Sequence, residues 1–140
     1  MTLIEQVKNY LQGFPELTGK RIDIDCLAPE KGSYCLYSVP CESVVSRYLD
    51  GSTVRRALFV IASRKFFGTD LKQQAANLAF FEELESWLEK QEMFSNLPNL
   101  GEKRKPRAVT VLSSGYPFME DDNGGAQYQM QLQLIYLQEV

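Results

Sequence analysis

The hydrophobic positions of the chain fall into two helical stretches and several extended ones. Near the N-terminus Leu3, Ile4, Val7 and Leu11 lie on one helical face, and Thr2 with Glu5 has the Ser/Thr-x-x-Glu form of a capping box. This predicts a short amphipathic helix over residues 2–12, stopped by Gly13 and Pro15. From Arg21 the period changes to two: Ile22, Ile24 and Cys26 alternate with Arg21, Asp23 and Asp25, as a half-buried strand requires. Residues 29–33 read as a turn, residues 34–39 as a second strand closed by Pro40, and residues 42–48 as a third.

Asp50-Gly51 then supplies the positive φ angles of a tight hairpin, so a strand over residues 53–63 is expected to fold back antiparallel on its predecessor. Within it residues 57–62 are apolar without interruption, which predicts a central strand covered on both faces, at least in an assembled state. After Gly68, Thr69 or Asp70 caps a long helix in which Leu71, Ala75, Leu78, Phe81, Leu84 and Leu88 recur at intervals of three and four. Phe80 and Trp87 widen its stripe, and it is expected to end near Met93 as the lid over one side of the sheet.

Residues 97–107 have the composition of a linker, residues 108–112 that of a short strand, and residues 120–125 that of an acidic loop. The last strand has the clearest pattern: Tyr128, Met130, Leu132, Leu134 and Tyr136 face one way, and Gln127, Gln129, Gln131 and Gln133 the other. The expected fold is therefore one α+β domain over residues 1–140. It has a mixed, mainly antiparallel sheet of about five strands, an N-terminal helix and one long helix packed on one face, and a protruding β-hairpin.

Length and composition fit that picture. A chain of 140 residues, 44% hydrophobic and 24% charged, buries a core without a disulfide framework or a structural metal. Its net charge of −3 offers no general attraction to phosphate backbones or anionic membranes. No apolar run approaches the ~20 residues that span a bilayer, and the start of the chain lacks the pattern of a secretory signal, so a cytoplasmic origin is expected.

Chemistry is constrained further by what the chain lacks. It has no histidine, the commonest general base and metal ligand. Cys26, Cys35 and Cys41 are odd in number and form no CxxC, so three buried or half-buried thiols are expected, with a Cys35–Cys41 disulfide as the alternative. No Ser-x-x-Lys, Gly-x-Ser-x-Gly or phosphate-cradling glycine motif occurs. Asp23 and Asp25, with Glu30 nearby, invite a metal-site reading but fit the solvated side of a strand better. Asp121-Asp122-Asn123-Gly124 resembles part of a calcium loop without its closing glutamate, and reads as a turn. Lys103, Arg104, Lys105 and Arg107 form a basic run without interleaved aromatics. This suggests a solvated linker or weak electrostatic contact with DNA or an acidic partner, rather than base reading. No catalytic residue, cofactor or metal is expected.

The residues also resemble a family. The segment Arg21-Ile22-Asp23-Ile24-Asp25, the Gly32-Ser33-Tyr34 turn and Ser46-Arg47-Tyr48-Leu49-Asp50-Gly51-Ser52 are similar to minor capsid or tail-terminator-like proteins of long-tailed phages of Gram-positive bacteria. So are Ala62-Ser63-Arg64, the helix carrying Asn77, Phe80-Phe81-Glu82 and Trp87-Leu88-Glu89, then Leu97-Pro98, and Ala126-Gln127-Tyr128-Gln129-Met130-Gln131 leading into Leu134 and Tyr136. The resemblance spans about residues 20–138 in many short pieces, and Cys35, Cys41 and the basic run stand outside it.

The resemblance implies a non-enzymatic virion or prophage-encoded component at the head-tail junction, made in the host bacterial cytoplasm. Such a protein finishes the tail tube as a homo-oligomeric ring, for which the family implies six copies, in contact with tail-tube and head-tail connector proteins. The contacts are expected at the hairpin, Tyr48, Leu49, Asp50, Gly51 and Ser52, and along the outer edges of the sheet. The competing readings are another minor head component, a small DNA-binding accessory protein using the basic run, and a hydrolase with an acidic metal site.

Overall fold

The computed structural model describes residues 1–25, 32–66, 71–120 and 125–140, with the side chains of 66, 71–74, 118–120 and 125 excepted. The expectations for Cys26, Glu30, the Thr69 or Asp70 cap and residues 121–124 lie outside the described residues. Described elements run in the order α1 (Leu3–Leu11), β1 (Ile22–Ile24), β2 (Tyr34–Val39), β3 (Val44–Arg47), β4 (Thr53–Phe66), α2 (Leu71–Met93), β5 (Arg104–Glu120) and β6 (Gly125–Gln138).

The fold is α+β, with one mixed sheet of six strands rather than about five. Its path is β1-β2-β4-β6-β5, and β3 pairs with β4 off that path. All pairs are antiparallel except β1 with β2. Helix α1 begins at the expected capping box, in which Thr2 Oγ1 accepts the Glu5 N–H and Glu5 Oε1 accepts the Thr2 N–H.

Strand β4 is central, and register sorts its residues into two faces. Ala57, Phe59 and Ile61 stand beside Leu134, Leu132 and Met130 of β6, on the face that shares one core cluster with α1 and α2. From the helices, Val7, Leu11, Phe80, Phe81, Leu84 and Leu88 close that core. Full burial of each such side chain contributes about 1.5–3 kcal/mol. Phe14, in the turn after α1, packs against Phe80 and Trp87 with ring centroids 5.8 and 5.7 Å away.

Burial departs from expectation at Ala75 and Gln129. The expected helical stripe includes Ala75, which is exposed, while Phe80 carries burial in its place. On the second face of β4, Val60 and Ala62 are buried, so the expected cover on both faces is present there within a single chain, while Leu58 on the same face is half-buried. Register sets Val60 between Tyr37 and Gln131, and Ala62 between Cys35 and Gln129; their longer neighbours shade these small residues. Gln129, expected on the wet side, is itself buried, and its Nε2 donates to Tyr116 Oη at 2.7 Å.

The largest correction concerns residues 97–120. The basic run is not a linker: Arg104, Lys105 and Arg107 open β5, which continues for 17 residues instead of the five expected. Pro106, part of the expected linker, and Pro117 are both tolerated because β5 lies at the sheet edge, where an N–H that faces away from β6 makes no ladder bond. Register shifts at four places in its pairing with β6 scramble the alternation that would have marked the strand.

Candidate assembly interface

The hairpin joining β3 to β4 is built as a three-residue loop, Leu49, Asp50 and Gly51. The Tyr48 N–H donates to the Ser52 carbonyl at 2.9 Å, and the Gly51 N–H to the Tyr48 carbonyl at 3.1 Å. Gly51 alone in the loop has a positive φ, at 93°, which corrects the expectation of a tighter Asp50-Gly51 turn with positive φ at both positions. Asp50 Oδ1 accepts both the Ser52 hydroxyl at 2.6 Å and the Ser52 N–H at 2.9 Å, fixing the loop. Those two bonds, the hydroxyl first, hold the Asp50 carboxyl below the usual carboxylate range.

With its backbone fixed, the loop presents apolar side chains to solvent. Leu49 is fully exposed, Tyr48 is 49% exposed and Val45 on β3 is 53% exposed. Val140 is also exposed, and its Cγ2 would lie 3.1 Å from a Cβ placed on Gly51, so the end of β6 extends the same patch. Sequence reasoning missed Val45 and Val140; the only signal was a small apolar step among polar residues, the Val44-Val45 pair in one case and Val140 after Gln138-Glu139 in the other.

The basic run belongs to the same end of the sheet. Gln138 of β6 pairs with Thr53 on one side and with Arg104 on the other, and Arg104 Nε donates to Gln138 Oε1 at 3.3 Å. The order β3, β4, β6, β5 puts the hairpin and the start of β5 three strand spacings apart, roughly 14 Å. Arg47 pairs with Thr53 in the hairpin, and Arg55 Nε donates to Thr53 Oγ1 at 2.9 Å, so two further cations stand at this end. Glu102 and Glu139 are interspersed. Lys103, Lys105 and Arg107 are exposed, and no aromatic residue alternates with them.

The outer edges of the sheet, expected to share in assembly, are poor templates for strand pairing. At one edge β5 carries two prolines and repeated irregularities; at the other β1 is three residues long and is followed by Asp25 at φ 59°. Both are forms of edge protection.

Asp23 and Asp25 are each engaged locally. Asp23 Oδ1 pairs with Arg21 Nε at 2.7 Å, and Asp25 Oδ1 accepts the Ser38 N–H at 3.2 Å. No group of three potential ligands that would hold a metal occurs among the described residues. Cys35 and Cys41 are both thiols; Cys35 is buried as expected, but Cys41 is exposed, which corrects the expectation of a buried or half-buried thiol there. Glu16 and Glu83 share a hydrogen bond that raises the Glu16 carboxyl above its ordinary range. Nearby, burial lowers the Lys65 ammonium, which lies 4.6 Å from the Phe80 ring centroid and 5.3 Å from that of Tyr34. No helix among the described residues is long and apolar enough to cross a membrane. No protein-family model and no curated protein sequence matches the chain.

Proposed function

We propose that the chain is a non-enzymatic phage structural protein that completes the tail tube, or joins head to tail, by forming a homo-oligomeric ring in the virion. The observation that carries this reading is the hairpin tip. Leu49 and Tyr48 are held out into water by a loop fixed by four local hydrogen bonds, together with Val45 and Val140. Apolar side chains displayed on an ordered loop mark a contact surface, since exposing them costs solvation that a partner recovers. The resemblance of residues 20–138 to tail-terminator-like proteins supports the same reading, with the β3–β4 pair as that family's protruding hairpin and six copies as its ring.

The cationic end around Lys103, Arg104, Lys105 and Arg107 suits an acidic neighbour or the backbone of DNA passing through such a ring. In a ring the contact is weak and independent of sequence. The prospective partners are tail-tube and head-tail connector proteins. A different minor head component is the alternative on the same surface.

The experiment is deletion of the coding sequence from its genome, followed by electron microscopy of the particles released. Filled heads without joined tails, or tails of irregular length, are expected. Normal virions in normal number would overturn the reading.

A further inference from the structure

A second surface complements the hairpin tip in polarity and charge. Between the first turn of α1, the end of β2 and the middle of β4 lies an open groove of about 470 Å³. Its walls are largely apolar, with Leu3, Ile4, Val39, Pro40, Leu58 and Phe59 among them, and Arg56 is the one charged side chain of its lining. The Arg56 Nη2 donates to the Glu42 carbonyl at 3.2 Å, but its Nε is buried and has no partner. No carboxylate among the described residues pairs with this guanidinium, so an anionic oxygen brought by a partner would meet an uncompensated cation at the groove.

We propose that this groove receives the hairpin tip of a second copy of the chain, Leu49 entering the apolar part and Asp50 meeting Arg56. The inference rests on the reading of the chain as self-assembling and names the receiving surface. The match is one of both charge and polarity. The tip pairs an exposed aliphatic side chain with a carboxylate whose Oδ2 is unengaged, and the groove pairs apolar walls with a cation. The chain's own tip cannot serve. It caps the N-terminal end of β4, three residues and about 10 Å along the strand from Arg56, and none of residues 48–52 lines the groove. A tip-to-groove contact joins two different patches, which makes rings when its rotation closes.

Exposed Cys41 lines the groove, with its Sγ 3.7 Å from the Arg56 carbonyl, and provides a trap. The test is mild copper-phenanthroline oxidation of the Leu49→Cys variant, both as concentrated protein and on assembled particles, with Leu49→Cys/Cys41→Ser as control. A ladder of covalent oligomers that disappears in the control is expected. Asp50→Arg and Arg56→Asp, each made in the Leu49→Cys background, should each cut the cross-linked fraction at least tenfold, and the double exchange should restore it. Cross-linking that stops at a dimer and still needs Cys41 would keep the groove contact and overturn the ring. Cross-linking that persists in the control would overturn the groove contact alone. No cross-link in protein or particles overturns the groove contact, and the ring with it if the wild-type protein also shows no self-association in either setting.

Discussion

Gly115 of β5 lies directly against Phe81 of α2: a Cβ at position 115 would overlap the Phe81 Cβ and Cγ and stand 2.9 Å from its Cδ2. The helix settles onto the sheet here because the strand offers no side chain. Phe81 in turn stacks on Tyr128 of β6, with ring centroids 6.4 Å apart.

Gly115→Ala should therefore destabilise the fold by about 1–3 kcal/mol, the usual cost of overpacking a filled core. Urea unfolding followed by circular dichroism measures it. An unchanged midpoint would mean that helix and strand are not in such close contact.

Gly51→Ala tests the loop. A φ of 93° is unfavourable for any residue with a Cβ, and the added methyl would press on Val140 Cγ2 at 3.1 Å. A loss of about 1–2 kcal/mol is expected, again from denaturant unfolding. Removing the Asp50 carboxylate acts on the same loop with a pH signature. Because its folded pKa is depressed, its contribution is present above the ordinary aspartate range and fades as pH falls through the lowered value. Asp50→Asn should flatten that acid limb.

Tyr10 gives an alkaline counterpart. Burial, with the charge of Glu92 second, pushes its phenol up to about 12 from an ordinary 10, and its hydroxyl donates to the Asn96 carbonyl at 2.9 Å. The folded state holds this proton more tightly than the unfolded chain does. The associated stability is complete below pH 10 and is lost as pH rises from about 10 to 12. Phenolate absorbance against pH should show a late tyrosine that Tyr10→Phe removes.

The basic end of β5 predicts weak DNA binding. With Arg104 hydrogen-bonded to Gln138, the exposed Lys103, Lys105 and Arg107 carry the contact. Each phosphate neutralised adds about 0.9 to the slope of log affinity against log salt. Replacing the three with glutamine should flatten the slope by no more than about 3. Tight binding that survives high salt, or a sequence preference, would contradict a backbone-only contact.

Where local pattern and tertiary context agree, the sequence was legible. The alternation of Tyr128, Met130, Leu132, Leu134 and Tyr136 survives in β6 because its pairing with β4 runs without a bulge. The Thr2–Glu5 box starts α1 as read, since its bonds are local. Of β5 only residues 108–112 were legible; its two ends were not, because prolines at an edge cost little and bulges break the period of two. The hairpin was readable from Asp50 and Gly51, but not its neighbours: Val140 and the basic run reach the same end of the sheet through long-range register. Arg56 gave no signal at all, since its surroundings, the Glu42 and Ser43 carbonyls and Cys41, reach it only through the folding of residues 41–43 beside β4.

The central claim is that the exposed hairpin tip makes the contact on which assembly depends. The most direct measurement replaces Tyr48 and Leu49 together with glutamate, verifies folding by circular dichroism, and scores tail completion by complementation under the electron microscope. Both side chains are exposed, so the variant should fold as the wild type does, within about 0.5 kcal/mol. The account predicts a folded protein that finishes no tails, whereas a folded variant that completes tails of normal length would contradict it.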